Sequence, residues 1–195
     1  MRSRRSRASE ARGRLLGTAT RLFYGEGVRG VGVDRVVAEA SVTRATFYRH
    51  FPGKEDLVVA YLQGADRAFR DHAGDVPADA SAAEWLRGVT AQVADSLCTV
   101  GFRGCAFINA AAEYPDPASP VRLAVRAHRD WLEGSVRTAF QAIGHPDPAT
   151  AARHWVVLRD GAMVGGYLAD PGQAQAVLVD AVGDLLAQAP GAPTV

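Results

Sequence analysis

The 195-residue chain, with 48% hydrophobic, 22% charged and 8% aromatic residues, has globular composition, which excludes a disordered tail and a collagen-like polymer. Its apolar runs fall far short of the roughly 20 residues of a membrane span, no apolar stretch follows the basic start before Gly13, and two cysteines make neither a disulfide framework nor a zinc set, so a cytoplasmic, non-membrane protein folded by apolar burial is expected. The net charge of +1 hides an asymmetry: residues 1–54 hold 12 Lys and Arg against 4 Asp and Glu, a net +8, and residues 55–195 hold 10 against 17, a net −7, so that the head fits a polyanion such as nucleic acid or an anionic membrane surface, or is simply a solvated basic face.

Residues 1–8, with arginines at 2, 4, 5 and 7, read as an unstructured basic arm that reaches a minor groove or merely solubilises the chain. Leu15, Leu16, Ala19, Leu22 and Phe23 recur at the spacing of one helical face and stop at Gly25 and Gly27. Val33, Val36, Val37 and Ala40 mark a second short helix from Asp34 to Ala40, and Phe47 and Phe51 a third from Thr43 to Phe51. With only Ser41 and Val42 between them, these form a helix-turn-helix unit. A fourth helix runs from about Lys54 to His72 on Leu57, Val58, Tyr61, Leu62, Ala65 and Phe69.

A fifth helix is expected from the capping box Ser81–Glu84, with Leu86, Val89, Val93 and Leu97 on its stripe. A short sixth, Ala106 to Tyr114, is ended by Pro115 and Pro117. Ser119-Pro120, Asp147-Pro148 and Asp170-Pro171 each place a capping side chain before a proline at the first helical position and start helices seven, eight and nine. No long alternating strand pattern, repeat or low-complexity tract is present, so the fold is expected to be all-α. Its parts would be an N-terminal three-helix DNA-binding unit at 9–54 and a larger helical regulatory and dimerisation domain at 55–195. From Trp155 to Ala169 the only charges are Arg159 and Asp160. A helix apolar nearly all round needs burial on two sides, which a homodimer through helices eight and nine provides. A central core helix in a monomer is the other reading.

Chemistry concentrates at Thr43–Phe51. Thr43 caps the third helix and can bond a phosphate, while Val42, Phe47 and Phe51 turn inward. Arg44, Ala45 and Tyr48 then face outward: arginine pairs with guanine O6 and N7, alanine lets the helix sit close to base edges, and tyrosine offers a hydroxyl and a ring face. Thr46, Arg49 and His50 flank them as backbone contacts. Lys54, the only lysine among 22 basic residues, opens helix four at its positive end, which makes sense if phosphate binds there.

The head resembles the TetR family of bacterial transcriptional regulators through LLGTATRLFYGEG, VDRVVAEA, SVTRATFYRHF and PGKEDL in succession. The remainder resembles the family's variable regulatory domain in helix number, and GCAFINAAAEYPDP looks like a segment of one branch. The resemblance implies a dimeric repressor on a near-palindromic double-stranded operator, and a pocket inside helices four to eight whose filling by a small-molecule effector displaces helix four. Gly32, Val37 and Ser41 stand where the family usually has a capping Ser or Thr, an alanine and a turn glycine. Ser41 must therefore tolerate positive φ, at about 1 kcal/mol.

The regulatory half supplies aromatic residues for such a pocket or for plain core, with Trp85, Phe107, Trp131 and Trp155 as candidates. Asn109, Glu113, His128 and Arg159 are the polar candidates. Asn109 and Glu113, four apart, are placed to bond each other, and His128 lies on an apolar stripe as ligand contact or core. Cys98 and Cys105 flank a Gly101/Gly104 loop as a redox pair or as inert thiols. Metal-ligand spacing, a nucleophile elbow, a phosphate loop and a dinucleotide fingerprint are absent from the sequence, so neither a metal, a cofactor nor catalysis is expected. A head that binds a protein partner instead of DNA is the alternative function.

Overall fold

The computed structural model describes residues 2–190, with side chains from residue 9 onward. Among the described residues the regular structure is helical throughout: α1 (Arg2–Glu26), α2 (Val33–Glu39), α3 (Arg44–His50), α4 (Lys54–Ala73), α5 (Ala82–Leu97), α6 (Ala106–Glu113), α7 (Pro120–Ala142), α8 (Pro148–Leu168) and α9 (Pro171–Ala187). Among the described residues no helix is long and apolar enough to cross a membrane.

The chain forms two compact units. One takes in the residues up to Ala68 together with Ala106–Arg126; the other takes in Phe69–Cys105 and the residues from Ala127 onward. In the first, α1 buries Leu15, Ala19, Leu22 and Phe23, α2 buries Val36 and Val37, and α4 buries Leu57, Val58, Tyr61 and Leu62. These are the stripes expected from the spacing. Phe23 and Tyr61 meet edge to face with centroids 5.9 Å apart. The start of α1 corrects one expectation, because the helix continues back to Arg2 where an unstructured arm was expected. Arg, Ala and Glu are good helix formers, and no glycine intervenes before Gly13. The groove contacts expected of Arg2, Arg4, Arg5 and Arg7 lie outside the described side chains.

Helix α1 stops where Gly27 takes φ 84°, a conformation that costs a side-chain-bearing residue energy. The α2–α3 turn is closed by Ala40 N–H to Val36 O at 2.9 Å and Val42 N–H to Val37 O at 3.2 Å. Between them Ser41 takes φ 52°, the positive value that the turn demands.

In the second unit α5 packs against α8 and α9, which also pack on each other. Trp155, fully buried, donates its indole N–H to Thr90 Oγ1 at 2.9 Å, and the Thr90 hydroxyl in turn donates to Leu86 O at 2.7 Å. Gly166 lets α8 approach α5 closely: a Cβ there would stand 3.3 Å from Leu97 Cβ. Asp147 accepts from Thr150 N–H, Asp170 from Gly172 and Gln173 N–H, and Ser119 from Arg122 N–H, so each serine or aspartate before a proline caps its helix. The capping box at Ser81 does not form. Ser81 has helical φ and ψ and no cap bond; its N–H and O–H both donate to Asp79 Oδ1, at 2.9 and 2.6 Å. A carboxylate two residues earlier is the stronger acceptor and takes the role.

The Ser41→Gly substitution removes the positive-φ penalty and is expected to raise stability by up to about 1 kcal/mol, read from the urea midpoint. A lower midpoint would show the turn unstrained.

Candidate functional site

Thr43 sets the N-terminus of α3: its Oγ1 accepts from Thr46 N–H at 3.1 Å and its own hydroxyl donates to Thr46 Oγ1 at 3.0 Å. Two aromatic anchors hold the helix from beneath. Phe47 is fully buried, Phe51 is 2% exposed, and their centroids lie 5.9 Å apart. The Arg12 guanidinium of α1 stacks on Phe51 at 5.2 Å. With Phe47 and Phe51 inward, Thr43, Arg44, Ala45, Tyr48 and Arg49 are exposed, and Thr46, His50 and Lys54 are half-buried. Tyr48 stands edge-on to Phe47 at 5.1 Å and remains 49% exposed, unusual for so large a ring. The exposed face therefore carries a guanidinium, a methyl and a phenol within five residues.

The charges around this face are sorted. Arg35 pairs with Glu26 and Glu39, and Arg21 with Glu39, so two of the head's arginines are committed to bracing α1 and α2. Such exposed pairs add little stability each, but they fix direction. Arg49 donates to Thr46 Oγ1 at 3.3 Å. Arg44 Nη1 meets Asp34 Oδ1 of α2 at 3.1 Å, a contact absent from the sequence reading because ten residues and a turn separate the two. Burial pulls the Lys54 ammonium below its ordinary value, against the charge of Glu113. Burial, then the charges of Arg49 and Arg12, hold the His50 imidazole below its ordinary range, and its shielded Nε2 makes no hydrogen bond.

The residues named for an effector divide between the two units. Phe107, Asn109 and Glu113 belong to the first unit; Trp85, His128, Trp131, Trp155 and Arg159 belong to the second. Asn109 is exposed and Phe107 buried. Glu113 corrects the expectation of a bond to Asn109 alone. Its Oε1 accepts from Val28 N–H at 2.9 Å and its Oε2 from Arg29 N–H, so the end of α6 seats the α1–α2 turn in its carboxylate. A pair of adjacent backbone N–H groups facing one carboxylate gives charge-assisted bonds that a side-chain amide cannot match.

In the second unit Trp85 donates to Ala73 O at 2.7 Å. His128, 2% exposed, stands edge-on to Phe69 at 5.8 Å and beside Trp131 at 6.3 Å, while Arg70 stacks over Trp131 at 4.3 Å. His128 and Trp131 are thus brought together. Trp155 and Arg159 lie one turn apart on α8, each engaged elsewhere. Arg159, 4% exposed, donates to Asp160 Oδ1 at 2.8 Å and to Cys105 Sγ at 3.2 Å, and Asp160 Oδ2 also takes Arg129 at 2.7 Å. Burial works against the Arg159 charge, and Cys105 and Asp160 outweigh it. Cys105 is buried and Cys98 exposed, both free thiols.

The model for bacterial regulatory proteins of the tetR family matches residues 15–61, the stretch from α1 to the first turns of α4. The structure superposes with TM-score 0.87 on SCO4454, a TetR-family transcriptional regulator from Streptomyces coelicolor, at 49% identity over 93% of this chain and 96% of that one. A TetR transcriptional regulator from Chloroflexus aurantiacus shares the fold, with TM-score 0.81 at 21% identity over 94% and 98% of the two chains. The transcriptional regulator LmrA of Bacillus subtilis is 28% identical over 126 residues, 63% of this chain and 67% of its own.

Two measurements test this geometry. Glu113→Ala leaves the Val28 and Arg29 N–H groups without their acceptor and is expected to cost about 1–3 kcal/mol, read from the urea midpoint, with Glu113→Gln intermediate. Because the His50 value is depressed by folding, its contribution is present above about pH 6.5 and lost as pH falls through the folded value. The stability of His50→Gln should therefore decline less than that of the wild type between about pH 7 and pH 5.5, in denaturation series at each pH.

Proposed function

The chain belongs to the TetR family of transcriptional regulators, which bind DNA through a helix-turn-helix head, and from that premise we propose that it acts in the cytoplasm as a homodimeric repressor released by a small-molecule effector. Residues 9–54 read DNA, and residues 55–195 dimerise and sense. The observation that carries the reading is the outward face of α3, where Arg44, Ala45 and Tyr48 are exposed above the buried Phe47. Arg44 reads a guanine in the major groove, Tyr48 a thymine methyl or a phosphate, and Thr43, Thr46, Arg49, His50 and Lys54 follow the backbone. Two such helices about 34 Å apart fit successive major grooves of a near-palindromic operator.

Dimerisation is supported by the apolar surface that α8 and α9 leave uncovered. Val157 is 69% exposed, Leu168 74% and Val177 58%. A groove of about 360 Å³ runs between the helices, floored by Gly161, Ala162, Gly165 and Ala174, where small side chains admit the close approach of another helix. Exposed apolar surface contiguous with a groove marks an interaction site. For the effector, the candidates within the second unit are His128, next to Trp131, and the Arg159 cluster. Filling a site beside them releases DNA to the extent that the ligand favours the wider-spaced state.

Arg44→Ala should weaken binding to a selected operator about tenfold or more and relax base choice at one position per half-site, whereas Lys54→Ala should weaken specific and random duplexes alike, both read by anisotropy titration. Affinity should fall steeply with salt; a head that binds a protein partner would show no duplex affinity at any salt. Val157→Asp with Leu168→Asp should convert the dimer to monomer in sedimentation and abolish tight operator binding. A monomeric wild type would overturn the two-headed reading.

A further inference from the structure

Asp34 is an acid on the basic face of the head. It occupies the second position of α2 with its side chain 73% exposed, and its Oδ1 takes Arg44 Nη1 of α3 at 3.1 Å, the Arg44 side chain being 62% exposed. An acid in a first turn suits the helix dipole, which accounts for an aspartate here but not for its engagement with the neighbouring helix. As a stabilising contact, a pair this exposed contributes little. As part of a phosphate-binding surface, a carboxylate is a disadvantage, because it repels the polyanion that the arginines attract. Its effect must therefore come through what it does to Arg44.

Asp34 of α2 approaches Arg44 from one side, and Tyr48 follows it one turn along α3. A guanidinium presents five N–H donors in a planar fork, so one edge can rest on a carboxylate while another stays available. An unbraced arginine samples many rotamers and loses that freedom on meeting a base; a braced one has less to lose. When a base edge displaces water from the helix face, the local dielectric falls and the Asp34–Arg44 attraction strengthens.

We propose that Asp34 is a positioning residue for base readout, which through its ion pair with Arg44 fixes the guanidinium presented to guanine, raising discrimination between sequences while lowering affinity for duplex DNA in general. This rests on the assignment of Arg44 as a base reader.

The test uses the full-length protein and a duplex it selects from a randomised pool, with the guanine opposite Arg44 replaced in turn by each other base and an unselected duplex as reference. Asp34→Ala is expected to lose about tenfold on the selected duplex, to bind the unselected duplex as well as or better than wild type, and to discriminate less at that guanine. Asp34→Glu should restore the preference. In an Arg44→Ala background, Asp34→Ala should no longer alter base preference, the non-additivity expected of residues acting as a pair. Asp34→Asn, isosteric and uncharged, carries the test if the alanine variant unfolds. Equal losses on both duplexes, or an intact guanine preference in Asp34→Ala where Arg44→Ala abolishes it, overturn the proposal and leave Arg44 as reader. An intact preference in Arg44→Ala overturns the assignment of Arg44 and this inference with it, as does a pool that yields no preferred duplex.

Discussion

A helix of seven residues does not hold itself together in water, where isolated helices shorter than about 12–15 residues are marginal. Helix α3 exists because Phe47 and Phe51 are buried beneath it and Thr43 caps it. Fully burying such a ring contributes about 1.5–3 kcal/mol, more than any exposed ion pair of the head, so the apolar anchors decide whether the helix forms. They also decide where it points. With positions 47 and 51 inward, helical spacing turns positions 45 and 49 farthest from the core; Arg44, in the first turn of the buried stripe, and Tyr48, at its flank, are exposed beside them, so the exposed face is set by the packing before any charge is considered.

The charged side chains then refine what packing has set. Glu26 and Glu39 engage Arg21 and Arg35 and tie α2 to α1, and Glu113 seats the α1–α2 turn from α6. The acids within the basic head thus act as guides for arginines and backbone amides. Lys54 and His50, both partly desolvated, stand at the ends of this arrangement with their charged forms disfavoured by burial.

Much of this was legible in the amino-acid order, because the signals are local. The stripes of α1 and α4, the two-residue turn, and the serine or aspartate before Pro120, Pro148 and Pro171 each lie within a few residues of what they determine. Ser41 at positive φ followed from the family resemblance, in which a glycine usually holds that place in the turn. What escaped was long-range pairing. Nothing in the spacing links Glu113 to Val28 and Arg29, more than eighty residues earlier, or Asp34 to Arg44. The box at Ser81 failed because a local pattern met a better local acceptor in Asp79. The candidates for the effector rest on residue type, and type does not say which side chain the core has already engaged, as with Trp155 on Thr90 or Arg159 on Cys105.

The cluster of Arg129, Asp160, Arg159 and Cys105 bears on α8 as a whole. From Trp155 to Leu168 that helix carries no other charge, and apolar burial is less directional than a charged contact. Asp160 follows Arg159 on the same helix and turns with it, so the partners that fix the rotation lie off α8: Arg159 reaches the Cys105 thiol and Asp160 reaches Arg129, and another rotation would leave these charged groups without them. The cluster is thereby the azimuthal pin of the helix, and the exposure of Val157 and Leu168 on the opposite side of the same cylinder follows from it.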